Sequence, residues 1–192
     1  MSVSKKIQNF MESSSWIRKM FEEGIKLKKE FGENNIFDLS LGNPVMEPPS
    51  ELIKKLITNV LDKKSGTHRY MPNSGFPETR RAIADSLKAE CKISFNENHI
   101  VMVCGAAGGL NITLKTILDP GDKVIIFAPF FVEYVFYADN HGGKTVTVPT
   151  LKDFTPDFEA FGKAIDKKTK AVIINSPNNP TGVVYSRQTL KK

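Results

Sequence analysis

Short apolar runs, each closed by turn residues and followed by a segment of helical period, constrain this chain more than any other feature. The runs cover 99–104, 124–128, 144–148 and 170–175. Runs of that length bounded by Pro, Gly, Asn and Asp read as strands. Around them, 52–61, 78–90, 110–118 and 157–165 place apolar side chains at helical spacing, with Pro77 and Pro156 at the helix starts. Strands alternating with helices predict an α/β layer structure with a mainly parallel sheet. Ahead of it, 14–31 reads as one amphipathic helix carrying Trp16, Ile17, Met20, Phe21, Ile25 and Leu27. The chain shows no internal repeat and no low-complexity segment.

Two strand ends carry polar chemistry. Asn175-Ser176-Pro177-Asn178-Asn179-Pro180-Thr181-Gly182 directly follows the last run and delivers fixed amides to the carboxyl edge of a sheet, where open α/β folds hold ligands. Gly105-Ala106-Ala107-Gly108-Gly109 lies between the strand 99–104 and the helix 110–118. A first helical turn presents unpaired N–H groups at the positive end of the dipole, and glycine lets a ligand come close, so this loop suits an anion. It is neither of two familiar phosphate loops. No Lys-Ser/Thr pair follows the glycines, and the spacing is not G-x-G-x-x-G with an acidic residue on the next strand. For the loop taken alone, a tight turn without a ligand is the other reading.

A third segment joins these: the turn Asp119-Pro120-Gly121-Asp122, the run 124–128, and then Pro129-Phe130-Phe131-Val132-Glu133-Tyr134. The order Gly-Ala-Ala, Asp-Pro-Gly-Asp, Pro-x-aromatic-x-x-Tyr and Asn-Asn-Pro-Thr-Gly resembles the class I and II aminotransferases of the pyridoxal-phosphate fold type I group. Upstream, Ser40-Leu41-Gly42-Asn43-Pro44 is similar to the early substrate loop of that family. Tyr70, Gly75 and Arg80 are similar to its Tyr…Gly…Arg signature. The resemblance runs from near Ile36 to the end of the chain.

The resemblance implies a fold: the α/β, three-layer PLP-dependent transferase fold type I with a mainly parallel mixed sheet, present as its N-terminal part. Residues 1–45 are then a segment of the small domain, and 46–192 an incomplete large cofactor-binding domain. It implies pyridoxal 5'-phosphate as cofactor, its phosphate on the backbone N–H groups of Gly105, Ala106 and Ala107. Phe131 would lie over the pyridine ring, and Asn179 would donate to the phenolic oxygen. Tyr70 would reach across a homodimer interface to the phosphate of the neighbouring subunit, and the backbone of Gly42 would lie close to the substrate carboxylate. Many members carry a Ser or Thr in the phosphate loop and Tyr or Trp at the stacking position. Here Ala106, Ala107 and Phe131 stand instead.

The implied activity moves an amino group between an aspartate-like or alanine-like amino acid and a 2-keto acid. A fold type I carbon–sulfur lyase is the alternative, and a non-catalytic cofactor-binding fragment another. In the family the Schiff-base lysine, the aspartate on the pyridine nitrogen and the carboxylate-binding arginines follow the Asn-Pro-Thr-Gly motif. The expectation is therefore a truncated chain with no catalytic residue of its own, inactive alone.

Composition excludes other classes. A net charge of +6 is spread over Lys5-Lys6, Lys26 to Lys29, Lys54-Lys55 and Lys63-Lys64 with acids between, as solvated helix faces are, and no nucleic-acid motif accompanies it. Cys91 and Cys104 are far from a C-x-x-C spacing, and Cys104 is expected to be buried in its strand. His68, His99 and His141 are too scattered for a zinc set. No signal peptide and no membrane-length apolar run is present, which leads to the expectation of a cytoplasmic protein without membrane or metal.

Overall fold

The strand Lys123–Ala128 (β1) organises the fold because its side chains have no polar face to expose. Val124, Ile125 and Ile126 are 0% exposed and Phe127 is 7%. In the computed structural model, which describes residues 3–13, 15–39, 42, 46–62, 66 and 69–192, β1 is the central strand of three. Lys144–Pro149 (β2) and Thr169–Ile173 (β3) flank it, both parallel, in the order β2-β1-β3. A parallel strand covered on both faces needs apolar side chains on both, and β1 supplies them without alternation.

Helices cover the two faces. The chain forms α1 (Lys5–Ser13), α2 (Ser15–Phe31), α3 (Ser50–Leu61), α4 (Pro77–Cys91), α5 (Gly105–Ile117), α6 (Glu133–Asp139), α7 (Phe158–Ala164) and α8 (Arg187–Lys191). On one face, Leu114 of α5, Leu118 and Ala138 of α6 pack on Val124. On the other, Ala160, Phe161 and Ala164 of α7 pack on Ile125, Phe127 and Val148. The start of α7 is fixed by Asp157, whose carboxylate accepts from the N–H groups of Glu159 and Ala160 at 3.0 Å, as an N-cap should. Residues divide into two compact units, Met1–Arg69 and Tyr70–Lys192, and the sheet lies in the second. In the first, Lys28 pairs with Asp38 at 2.9 Å and ties the segment after α2 back onto that helix.

Several sequence expectations are corrected. The segment 99–104 is not a strand: Glu97–His99 is a 3₁₀ turn, and 100–103 is extended but joins no sheet. An apolar run becomes a strand only when a neighbour takes its backbone groups, and among the described residues none lies alongside it. Its recorded tie is the Met102 N–H donating to the Ser74 carbonyl at 3.0 Å. Val101 is accordingly 57% exposed, and Cys104 is exposed rather than buried. A further helix, α1, precedes the expected N-terminal one. The glycines 105–109 lie inside α5 rather than before it, and β3 ends at Ile173 instead of residue 175. The expectation of a mainly parallel sheet is met: among the described residues all three strands are parallel, and antiparallel contact is the isolated bridge Thr150–Pro156.

At the other end of the sheet, Lys123 pairs with Asp166, which also accepts from the Lys168 N–H at 2.8 Å. The Lys123 hydrogen bond, aided by that amide, holds the Asp166 carboxyl below the usual aspartate range. A group whose folded value is depressed contributes stability above its unfolded pKa and loses it as pH falls through the folded one. Asp166→Asn should therefore lower Tm at neutral pH, with the gap to wild type closing as pH falls below the ordinary aspartate range. A gap that stays constant across that range would show that the carboxylate charge plays no part.

Candidate active site

The helix α5 starts at the carboxyl edge of the sheet and runs back to the beginning of β1. Its 13 residues span roughly 20 Å at 1.5 Å each, and the six residues of β1 span about the same. A tight turn at 119–122 joins them, closed by the Asp119 N–H donating to the Asp122 carboxylate at 3.0 Å. With Leu114 and Leu118 seated on Val124, the first turn of α5 reaches the level where β1 ends.

That first turn is open. Gly105, Ala106 and Ala107 are exposed, and Cys104 at the N-cap gives no side-chain hydrogen bond. Gly105 holds φ at +66°, a conformation that favours glycine, and nothing lies within 4 Å of where its Cβ would stand. Its own N–H donates to the Val103 carbonyl at 3.0 Å. The N–H groups of Ala106 and Ala107 have no acceptor among the described residues, so two of the three expected amides stand ready for an anion at the positive end of the helix.

Two loops meet at the carboxyl edge of the sheet. After β1, Pro129 to Val132 leads into α6. Phe131 is 36% exposed there, its ring edge-on to Tyr134 at 5.6 Å and 82°. Tyr134 is buried, which pushes its hydroxyl pKa up. After β3, Asn178 is only 9% exposed, and its side-chain amide donates to the Pro129 carbonyl and to the Thr181 hydroxyl, both at 3.0 Å. Its backbone closes the turn: the Gly182 N–H donates to the Asn178 carbonyl at 2.7 Å, and the Asn178 N–H to Val183 at 2.9 Å.

From the sequence Asn178 reads as a turn residue, yet it is the tie between the two loops. A buried amide between a proline and a proline-glycine turn was the available signal. Asn179 is exposed; its backbone N–H donates to the Asn175 side chain at 2.8 Å, while its own side-chain amide has no partner among the described residues.

The topology accounts for the crevice. The chain leaves β1 toward α6 on one face, and leaves β3 toward α8, whose Thr189 and Leu190 line a cleft with Phe158 and Phe161 of α7. Neighbouring strands whose exits part in this way open a crevice at their carboxyl ends, where α/β folds bind ligands. Gly105, Ala106, Ala107, Phe131 and Asn179 are thus brought to one edge.

The other expected residues lie elsewhere. Tyr70 is fully exposed at the beginning of the second unit. Gly42, in the first unit, is exposed with nothing within 4 Å of a Cβ, and Ser40, Leu41, Asn43, Pro44 and His68 fall outside the described residues. Among the described residues, no group of three His, Cys, Asp or Glu could hold a metal, and no helix is long and apolar enough to cross a membrane.

Residues 34–192 match the family model of aminotransferase class I and II. The chain belongs to that family. It is similar to a probable aspartate aminotransferase of Methanocaldococcus jannaschii, 35% identical over 158 residues that make up 82% of this chain and 41% of that protein. It is also similar to a probable aspartate/prephenate aminotransferase of Thermus aquaticus, 38% identical over 80% of this chain and 40% of that one. The crystal structure of an aminotransferase from Eubacterium rectale matches it with a TM-score of 0.91 at 37% identity, covering 100% of this chain and 49% of that one. The aminotransferase chain therefore spans less than half the length of these relatives, and its fold is the N-terminal part of theirs.

Class I and II aminotransferases depend on pyridoxal phosphate, and the edge described above fits that group. Open helix amides suit its phosphate, a half-exposed phenyl ring suits its aromatic face, and the free amide of Asn179 suits its ring oxygen.

Proposed function

We propose that this chain supplies the cofactor-anchoring part of a pyridoxal-phosphate-dependent aminotransferase. The enzyme moves an amino group between an aspartate-like or alanine-like amino acid and a 2-keto acid, working as a cytoplasmic homodimer. What supports this reading is that the open α5 amides, Phe131 and the Asn179 amide all belong to segments at the carboxyl edge of β1 and β3. The names of the relatives favour the aspartate-like substrate.

Each residue has a physical task. The Ala106 and Ala107 N–H groups hold a phosphate dianion, and because neither side chain has a hydroxyl, the hold rests on backbone and helix dipole. Phe131 keeps water from one face of the ring and stacks on it, worth on the order of 1 kcal/mol. Asn179 donates an N–H to the phenolic oxygen, favouring its deprotonated form and fixing the ring's rotation. Tyr70, unengaged on its own subunit's surface, donates to the phosphate of the neighbour, and the Gly42 backbone lies by the substrate carboxylate. When bound, the cofactor supplies an electron sink for the substrate α carbon.

The test uses the full-length protein with aspartate or alanine, 2-oxoglutarate and added cofactor. Glutamate should form. Asn179→Ala should weaken cofactor binding about 10- to 150-fold, since a hydrogen bond to a charged group is worth about 1.5–3 kcal/mol. Phe131→Ala should weaken it about fivefold. Release of a thiol, a 2-keto acid and ammonia from an added thioether amino acid, with no glutamate formed from aspartate or alanine, would assign the lyase chemistry instead, and failure to bind the cofactor would end the proposal.

A further inference from the structure

Arg80 lies outside the crevice, yet it holds two backbone carbonyls that are far apart in sequence. Its Nε donates to the Gly75 carbonyl at 3.2 Å and its Nη1 to the Glu97 carbonyl at 2.7 Å. These two points frame the segment 100–103, which runs directly into Gly105. The Glu97 carbonyl also accepts from the Ile100 N–H at 3.3 Å, so Arg80 grips the beginning of that segment.

Its middle is gripped from the Gly75 turn: the Ser74 carbonyl accepts from the Met102 N–H, and the Met102 side chain lies flat against Gly75. A Cβ on Gly75 would collide with Met102 Cγ, and the φ of +96° there independently disfavours any residue with a side chain. The same turn is closed by the Gly75 N–H donating to the Pro72 carbonyl at 2.8 Å, two residues beyond Tyr70.

The segment 100–103 belongs to no sheet among the described residues. Among the described residues its backbone is tied through the Ile100 and Met102 amides, and their acceptors, Glu97 and Ser74, sit in the two turns that Arg80 holds. We infer that Arg80 is a positioning residue for phosphate recognition. Through Gly75 and Glu97 it sets where the Ala106 and Ala107 amides stand, and it anchors the turn that carries Tyr70. A planar guanidinium can satisfy two carbonyls at once in fixed geometry, whereas a lysine ammonium is a point donor on a flexible stem. The inference rests on the proposed cofactor site.

The experiment measures binding of pyridoxal phosphate and of pyridoxal, which lacks the phosphate, to the full-length wild type and to Arg80→Ala, Arg80→Lys, Gly75→Ala and Arg81→Ala. Melting curves and the ³¹P shift of the bound cofactor accompany it. Arg80→Ala should lose about 10- to 100-fold in affinity for pyridoxal phosphate, the loss expected when amides are moved out of hydrogen-bond reach of a charged group. Pyridoxal affinity should change less than twofold, and the ³¹P shift should move. Arg80→Lys should restore part of the loss, Gly75→Ala should repeat it, and Arg81→Ala should leave both ligands unaffected.

Equal loss of both ligands in Arg80→Ala and Arg80→Lys would make Arg80 merely structural, and unchanged phosphate discrimination in all variants would remove the role altogether. If Arg80→Ala does not fold, the lysine and Gly75 variants still decide it. Wild type that binds neither ligand would overturn the cofactor site itself, and this inference with it, whereas normal wild-type binding with silent variants overturns this inference alone.

Discussion

Replacing Asn178 with alanine should release the loop that carries Asn179 from the loop that carries Phe131. Two side-chain hydrogen bonds are lost, each worth about 1 kcal/mol net, and the Pro129 carbonyl loses a donor in a half-buried setting. The expected cost is about 2–3 kcal/mol, concentrated in 175–185 because the backbone bonds of β3 are untouched.

Hydrogen exchange reads this directly. The Gly182 amide, which donates to the Asn178 carbonyl, should exchange about 30- to 150-fold faster, a tenfold change for each 1.4 kcal/mol. Asn178→Asp should be at least as damaging, since it sets a carboxylate oxygen where an N–H faced a carbonyl. Asn179→Ala should leave Gly182 protection intact while weakening the cofactor, because the Asn179 side chain makes no hydrogen bond to another described residue. Unchanged Gly182 protection in Asn178→Ala would show that the two loops are held by something else.

That contrast between adjacent asparagines marks what the sequence shows of this molecule. The Asn-Pro-Thr-Gly run, the glycines before α5 and the aromatic after Pro129 were legible as a set, because turn chemistry at strand ends is local and follows from residue type. The sheet was legible for the same reason: β1, β2 and β3 lie where apolar runs end in breakers. What was not legible depends on partners distant in the chain. Nothing in the local pattern says that Asn178, rather than Asn179, turns inward to Pro129. Nothing near Arg80 points to the carbonyl of Glu97. The segment 99–104 misleads for this reason too, since Val101 and Val103 have strand composition but, among the described residues, no ladder to join.

Ile125→Ala and Val101→Ala put that last distinction into numbers. Both residues are β-branched and sit in apolar runs of similar length, so pattern alone would give them similar weight. Ile125 is 0% exposed, with Val148 and Phe127 in its cluster and Val172 and Phe161 packed against it. Truncation removes buried methyl and methylene groups and leaves a cavity in a layer where β1 is hydrogen-bonded on both sides and cannot collapse inward. Such sites lie in the upper part of the usual range, about 3–4 kcal/mol.

Against the 5–15 kcal/mol that holds a typical domain, this is enough to leave a substantial population of the 192-residue chain unfolded at modest urea. Val101→Ala in the same chain should cost less than about 0.5 kcal/mol, because a side chain 57% exposed has little burial to lose. Urea titrations of the two variants beside wild type, with matched slopes, give the comparison. Midpoints displaced equally would mean that the packing around β1 is not what stabilises this unit, whereas a large displacement for Ile125→Ala alone ties the stability of the crevice floor to the one strand whose burial is complete on both faces.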